Sequence, residues 1–238
     1  DYEGARYVVD AALNAGCTRL VQFSTDMVYG RLLTEPPIRE VHPRNPLGEY
    51  SDSKKHIEDY CMARRRDGLR VSIFRPRLII GPGRLGILTN LFKLIRASLP
   101  VPMIGAGNNR YQMVSVFDCA SAAVLSGTQG IIDGEFNLGS DGAPRVKDLL
   151  KDLIRSVGSK SLLVPTPAFM VKAVLRGLDR VNLSLLVPEQ YEIADADYVI
   201  DIEHTRQALG WQPQHDDRSM FQTAYEDFVN GRDSATAF

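Results

Sequence analysis

Two short runs of this sequence hold residue types that can do chemistry together. One is Tyr50-Ser51-Asp52-Ser53-Lys54, and the other is Ser24-Thr25-Asp26-Met27-Val28-Tyr29-Gly30. Tyr50 and Lys54 are four positions apart. On a helix that spacing puts both side chains on one face, one turn apart. A phenol, with an unperturbed pKa of about 10, is a poor base near neutral pH. A nearby ammonium favours the phenolate and lowers that value. A hydroxyl from Ser24 or Thr25 can then hold a substrate oxygen while Tyr50 gives or takes its proton. This set suits a carbinol–carbonyl pair, and the partner it lacks is a hydride acceptor, normally a nicotinamide. A Tyr and a Lys at this spacing also occur by chance on many helices, so the upstream hydroxyl run carries the weight.

The elements that must position these groups can be read on either side of them. Ser51, Asp52 or Ser53 can serve the first turn of a helix from Tyr50 to about Arg66, and Ile57, Tyr60, Cys61 and Ala63 give it an apolar side. Leu20-Val21-Gln22-Phe23 reads as a buried strand ending at Ser24. Ligands bind at the carboxyl ends of strands in open α/β sheets. Between the two runs, Pro36, Pro37, Pro43 and Pro46 predict a surface loop, and His42 within it reads as a satisfied loop histidine.

A first helix is expected over Gly4–Asn14, closed by Ala15-Gly16, and further strands over Leu69–Phe74 and Gly134–Leu138. Residues 100–109 read as irregular because of Pro100, Pro102, Gly105 and Gly107. Asp118 is expected to cap a helix over Cys119–Leu125, and later helices are expected over Pro144–Val157, Ala168–Leu178 and Arg218–Val229.

Composition removes several classes of function. The chain has 238 residues, 44% of them hydrophobic, with a net charge of -1, so nothing points to nucleic acid or an anionic membrane surface as a partner. No apolar run is long enough to span a bilayer. Cys17, Cys61 and Cys119 are far apart and lack metal spacing. They read as small buried residues in a reducing, cytoplasmic compartment. Gly81-Pro82-Gly83-Arg84-Leu85-Gly86 satisfies G-x-G-x-x-G after a strand. It is not read as a dinucleotide fingerprint: no acidic residue lies within 101–107 to take the ribose, and Pro82 removes a backbone donor.

In order, Ser24-Thr25, Val28-Tyr29-Gly30, Tyr50 with Lys54, Arg75-Pro76, Gly81-Pro82-Gly83, Gly105-Ala106-Gly107 with Arg110, Val116-Phe117-Asp118, Phe136-Asn137-Leu138-Gly139 and Leu209-Gly210-Trp211-Gln212-Pro213 make a set. By that set the chain resembles the extended short-chain dehydrogenase/reductase family, which includes nucleotide-sugar epimerases and dehydratases. The resemblance covers almost the whole chain.

It implies an α/β fold with a Rossmann-like doubly wound parallel sheet and a small C-terminal substrate region. The first βαβαβ half of that fold, with its Gly-rich loop, has no counterpart here. The expectation is therefore an N-terminally truncated member, inactive by itself. Residues 1–80, with 111–140 and about 190–203, would form the catalytic half of the dinucleotide domain. Residues 81–110 and 141–238 would serve mainly the substrate.

The resemblance makes Thr25, Tyr50 and Lys54 catalytic, with Ser24, Tyr50, Lys54 and Pro76 toward an NAD or NADP cofactor. Asp26 and Arg110 would face a nucleotide-sugar substrate. It also implies a homodimer through the first helix and the Tyr50 helix, with Tyr7, Ala11, Ile57, Tyr60 and Cys61 as the apolar groups. Two departures narrow the subclass. Met27 stands where sugar dehydratases carry a Glu, and Met cannot exchange a proton. Leu78 stands where epimerases often place an Asn on the substrate phosphate. An NAD(P)H-dependent reductase of a less polar carbonyl is the enzymatic alternative, and a dinucleotide-sensing or remnant protein is the non-enzymatic one.

Overall fold

Apolar groups recurring at helical spacing alternate along the chain with short β-branched and aromatic runs, and the backbone follows that alternation. The structure is a computed structural model that describes residues 2–33, 35–82, 88–179 and 188–231. Most of the Gly81–Gly86 run lies outside these residues. The chain begins with helix α1 (Tyr2–Asn14), strand β1 (Arg19–Phe23), helix α2 (Glu49–Arg64), and strands β2 (Arg70–Pro76) and β3 (Leu78–Ile80). Next come α3 (Leu88–Arg96), β4 (Val101–Ile104), β5 (Met113–Ser115), α4 (Val116–Thr128), β6 (Gly134–Leu138) and α5 (Val146–Ser156). The described part ends with β7 (Leu163–Thr166), α6 (Ala168–Asp179), α7 (Pro188–Glu192), α8 (Glu203–Leu209) and α9 (Asp217–Val229).

The chain divides into two units. The first comprises Asp1–Arg77, Phe117–Gly139 and Ile200–Gln212. Its sheet has the order β1-β2-β6 with every pair parallel. β2 is central and buried from Val71 to Pro76, whereas the edge strand β1 leaves Leu20, Val21 and Phe23 only half-buried. Val9 of α1 and Ile57 and Cys61 of α2 pack with Leu69, Val71 and Ile73 beside β2. Burying a side chain of this size is worth about 1.5–3 kcal/mol, so these residues hold α2 onto the sheet.

α1 and α2 lie together: the Tyr60 hydroxyl donates to Asp10, and the Tyr2 ring meets His56 and Tyr60 edge-on. Ile57 and Cys61, expected at a dimer surface, are instead spent on this core, because they are 1% and 0% exposed. Tyr7 and Val8 on α1 remain exposed.

The second unit comprises Leu78–Val116, Ser140–Val199 and Pro213–Phe238. It holds two parallel strand pairs, β3 with β5 and β4 with β7. Its core gathers Phe92 and Ile95 from α3, Leu149, Leu150 and Leu153 from α5, and Met220, Phe221 and Tyr225 from α9.

Several expectations change. Residues 101–104 were expected to be irregular, yet they form β4. Pro102 is exposed, and a strand paired on one side only tolerates a missing donor. Asp118 does not cap its helix: α4 already starts at Val116, and Asp118 is buried in the first turn. Its carbonyl accepts the indole N–H of the buried Trp211 at 3.0 Å. Cys17 is exposed, whereas Cys61 and Cys119 are buried.

Candidate active site

β1 delivers the hydroxyl run. The Ser24 N–H bonds the Phe74 carbonyl at 2.7 Å, extending the parallel pairing one residue past the strand. Thr25 keeps an extended backbone, and its Oγ1 accepts the Met27 N–H at 3.3 Å, capping a 3₁₀ turn over Asp26–Tyr29. Gly30 ends that turn at φ +56°, and a Cβ there would sit 1.8 Å from the Asn45 carbonyl oxygen, so only glycine lets the two backbones approach. Ser24 and Thr25 are both buried, and the Ser24 Oγ is buried without a hydrogen-bond partner. An orphaned buried hydroxyl is costly and marks a place for a water or ligand.

Asp26 is the first residue of that turn. Its carboxylate accepts Arg77 Nη1 at 2.9 Å, and both residues are buried. Burial pushes the Asp26 carboxyl up, against the pull of Arg77. Asp26, read from the resemblance as a substrate contact, is thus engaged in holding its own turn.

α2 delivers the acid/base pair. Ser51 accepts the Gly48 N–H and returns its own proton to the Gly48 carbonyl, which starts the helix one residue before Tyr50. Tyr50 is 43% exposed. The Lys54 Nζ lies 5.7 Å from the centre of the Tyr50 ring. Burial lowers the Lys54 pKa from its ordinary value. Among the described residues no carboxylate pairs with Lys54, while its neighbours Lys55 and His56 are engaged with Asp59 and Asp52. α2 also packs against the 3₁₀ turn, which brings the hydroxyl run and the Tyr–Lys helix together in one unit. Pro76 is buried at the end of β2, in register with Leu138.

Arg110 belongs to the second unit. Its N–H bonds Asp197 at 2.6 Å and its Nη1 bonds the Ala143 carbonyl at 3.0 Å. It lines a polar cavity of about 400 Å³ with Arg145, Asp148, Asp217 and Arg218. Asp217 is buried, holds the Met113 N–H and the Ser140 hydroxyl, and is pushed by burial up to about 6. Among the described residues there is no cluster able to hold a metal. The His42 Nδ1 accepts the Arg39 N–H at 2.9 Å, as its loop position predicts.

Sequence reasoning missed the polar network behind the site. The Glu58 carboxylate is fully buried and takes Arg75 Nε and Nη2 at 3.0 and 2.7 Å and Arg44 Nη1 at 3.0 Å. The signal was present: a glutamate one turn past Lys54, at a position where the helix turns inward.

A family model for the NAD dependent epimerase/dehydratase family matches residues 1–139. The chain belongs to this family. It is 29% identical over 233 residues to "Uncharacterized protein y4nG" of Sinorhizobium fredii, covering 97% of this chain and 58% of that protein. It is 22% identical over 221 residues to a UDP-glucose 4-epimerase of Vibrio cholerae, covering 92% of this chain and 65% of that one. The fold matches the Bordetella bronchiseptica enzyme WbmG, solved in complex with NAD and UDP, with a TM-score of 0.73 at 23% identity. That match covers 97% of this chain and 65% of WbmG. The family member is thus an α/β protein with parallel sheets, and it spans under two thirds of these relatives' length.

The residues present fit the nicotinamide end of such a cofactor. Among the described residues, Lys54 offers an ammonium with no carboxylate on it, Tyr50 an exposed phenol, and Ser24 a hydroxyl without a hydrogen-bond partner.

Proposed function

We propose that this chain carries the proton-transfer groups of an NAD(P)-dependent epimerase or oxidoreductase acting on a carbinol or carbonyl carbon, with a nucleotide sugar as substrate. The observation that carries the reading is Lys54, half-buried, with its Nζ over the Tyr50 ring and no carboxylate on it among the described residues. Its ammonium favours the Tyr50 phenolate, so Tyr50 takes the carbinol proton and returns it. Thr25 holds the same substrate oxygen and orients it. Lys54 and Ser24 would hold the ribose side of such a cofactor, with the buried Pro76 beside it. The cofactor, NAD or NADP, supplies a hydride acceptor when bound.

Arg110 is proposed to face the substrate diphosphate, for which a guanidinium fork is suited. Asp26 is left out of the substrate set because Arg77 occupies its carboxylate. Met27 provides no proton, which argues against dehydration and for epimerisation or simple oxidation and reduction. A homodimer is proposed through the exposed Tyr7, Val8 and Ala11 of α1.

Calorimetry on the full-length protein tests the substrate class. Arg110→Ala should weaken binding of a UDP- or dTDP-sugar by about tenfold or more, as loss of a charged hydrogen bond does, and leave NAD(H) affinity unchanged. Failure of the parent to bind any nucleotide sugar, with reduction of an unphosphorylated ketone or aldehyde, would move the substrate to the less polar class that Leu78 favours.

A further inference from the structure

Tyr50, Lys54 and Glu58 follow one another at four-residue steps along α2, so the buried glutamate continues the face that carries the acid/base pair. Ile57 and Cys61 hold α2 to β2 by apolar contact. Such contact is not directional, and it leaves the rotation of a helix about its axis weakly defined. The Glu58 carboxylate supplies direction. It takes the fork of Arg75 through both oxygens, at 3.0 and 2.7 Å, a geometry that fixes orientation as well as distance.

The remaining guanidinium nitrogen of Arg75 reaches the other half of the site. Nη1 donates to the Tyr29 hydroxyl at 3.0 Å and to the Glu40 carbonyl at 3.1 Å. Tyr29 is the last residue of the 3₁₀ turn that Thr25 caps, and its hydroxyl donates to Asn137 Oδ1 at 2.8 Å. The Asn137 amide is in turn fixed on the carbonyls of Ile38 and Asp201. One arginine, 2% exposed, therefore spans from the Tyr–Lys helix to the hydroxyl turn, and every link in the chain is hydrogen-bonded. Burial works against the charge on Arg75, and the Glu58 and Tyr29 contacts outweigh it, so the guanidinium stays charged.

A buried ion pair of this kind is replaceable by apolar residues without loss of stability in many proteins. Its presence here, between the Tyr–Lys helix and the hydroxyl turn, calls for another explanation. We propose that Arg75 and Glu58 are positioning residues that set the rotation of α2, and with it the placement of Tyr50 and Lys54 relative to Thr25. This inference rests on the acid/base reading of Tyr50 and Lys54.

The test uses Arg75→Lys, which keeps the charge and loses the fork, and Tyr29→Phe, which cuts only the link to the turn. A Glu58→Gln/Arg75→Met pair leaves no unpaired buried charge and covers the case in which Arg75→Lys does not fold. The first readout is the titration of Tyr50, taken as the ultraviolet difference between each protein and its Tyr50→Phe counterpart. In Arg75→Lys, or in the charge-free pair, that titration should shift upward from the parent's as the ammonium loses its alignment.

The second readout is turnover by the full-length protein supplied with NAD(H) or NADP(H), using UDP-glucose as the probe. kcat should fall about 10–100-fold with KM unchanged, the scale expected for a displacement approaching 1 Å, and Tyr29→Phe should give a smaller fall in the same direction. Variants that lose thermal stability while the Tyr50 titration and kcat stay at parental values would reduce Arg75 and Glu58 to structural residues. If Tyr50→Phe alone leaves turnover intact, the acid/base reading fails first, and the positioning role falls with it.

Discussion

The interiors of the two units are built differently. Both contain clustered aromatic rings: Phe23, Phe74 and Phe136 in the first, and Phe92 with Phe221, Tyr225 and Phe228 in the second. The first also buries two ion pairs, Arg75 with Glu58 and Arg77 with Asp26. In the second, pairs such as Arg218–Asp152 and Arg176–Glu192 lie at the surface, and the buried Asp217 is met by an N–H and a hydroxyl rather than by a cation. Ring packing tolerates small slides, whereas a forked ion pair fixes direction. The unit that carries Thr25, Tyr50 and Lys54 holds these buried pairs, that of Arg75 forked, and catalytic groups need that kind of support.

The sharpest way to break this comparison is to remove one partner from each interior. Glu58→Ala strands the Arg75 charge and should cost about 3–5 kcal/mol in urea unfolding, and adding Arg75→Met should restore most of it. Phe92→Ala should cost about 3–5 kcal/mol as well, but no second change at Phe228 should restore it, because the loss is cavity and contact rather than stranded charge. Equal behaviour of the two pairs would dissolve the distinction.

A smaller effect sharpens it from the other side. The Asp217 carboxyl is held up at about 6 by burial, above its unfolded value of about 4. The folded state therefore binds that proton more tightly. The contribution to stability is present at low pH and is lost as pH rises from about 4 through about 6. Lowering the pH from 7 to 5 should raise the melting temperature of the parent relative to Asp217→Asn, which lacks this titration. A parent and variant with parallel pH profiles would place Asp217 in an ordinary environment.

Much of this arrangement was legible in the sequence. α1, β1, α2, β2, β6, α5 and α9 follow from apolar spacing and from glycines at their ends, because those signals are local. β4 and β7 were not legible, since each pairs on one side only and carries a proline, Pro102 or Pro165, in the strand. α8 is short and lacks a capping side chain.

For the site, the Tyr50–Lys54 spacing and the Ser24-Thr25 strand end could be read directly. The burial of Asp26 on Arg77 could not, because those two residues are 51 positions apart and only the fold brings them together. The same holds for the Arg75 bridge, which joins Tyr29, Glu40 and Glu58 from three separate segments. A charged residue inside a helix's apolar arc was the available warning at Glu58, and Arg75 stood out as a motif residue at the end of a strand, but nothing in the sequence paired the two.

The central claim is that Tyr50 moves a proton with Lys54 beside it. The most direct measurement is turnover of the full-length protein and its Tyr50→Phe variant, with NAD(H) affinity measured on both. The account predicts a fall in kcat of about 10²–10⁴ in the variant, the range for losing a general acid/base, with cofactor affinity little changed. Turnover within a factor of about two of the parent lies far outside that range and would contradict it.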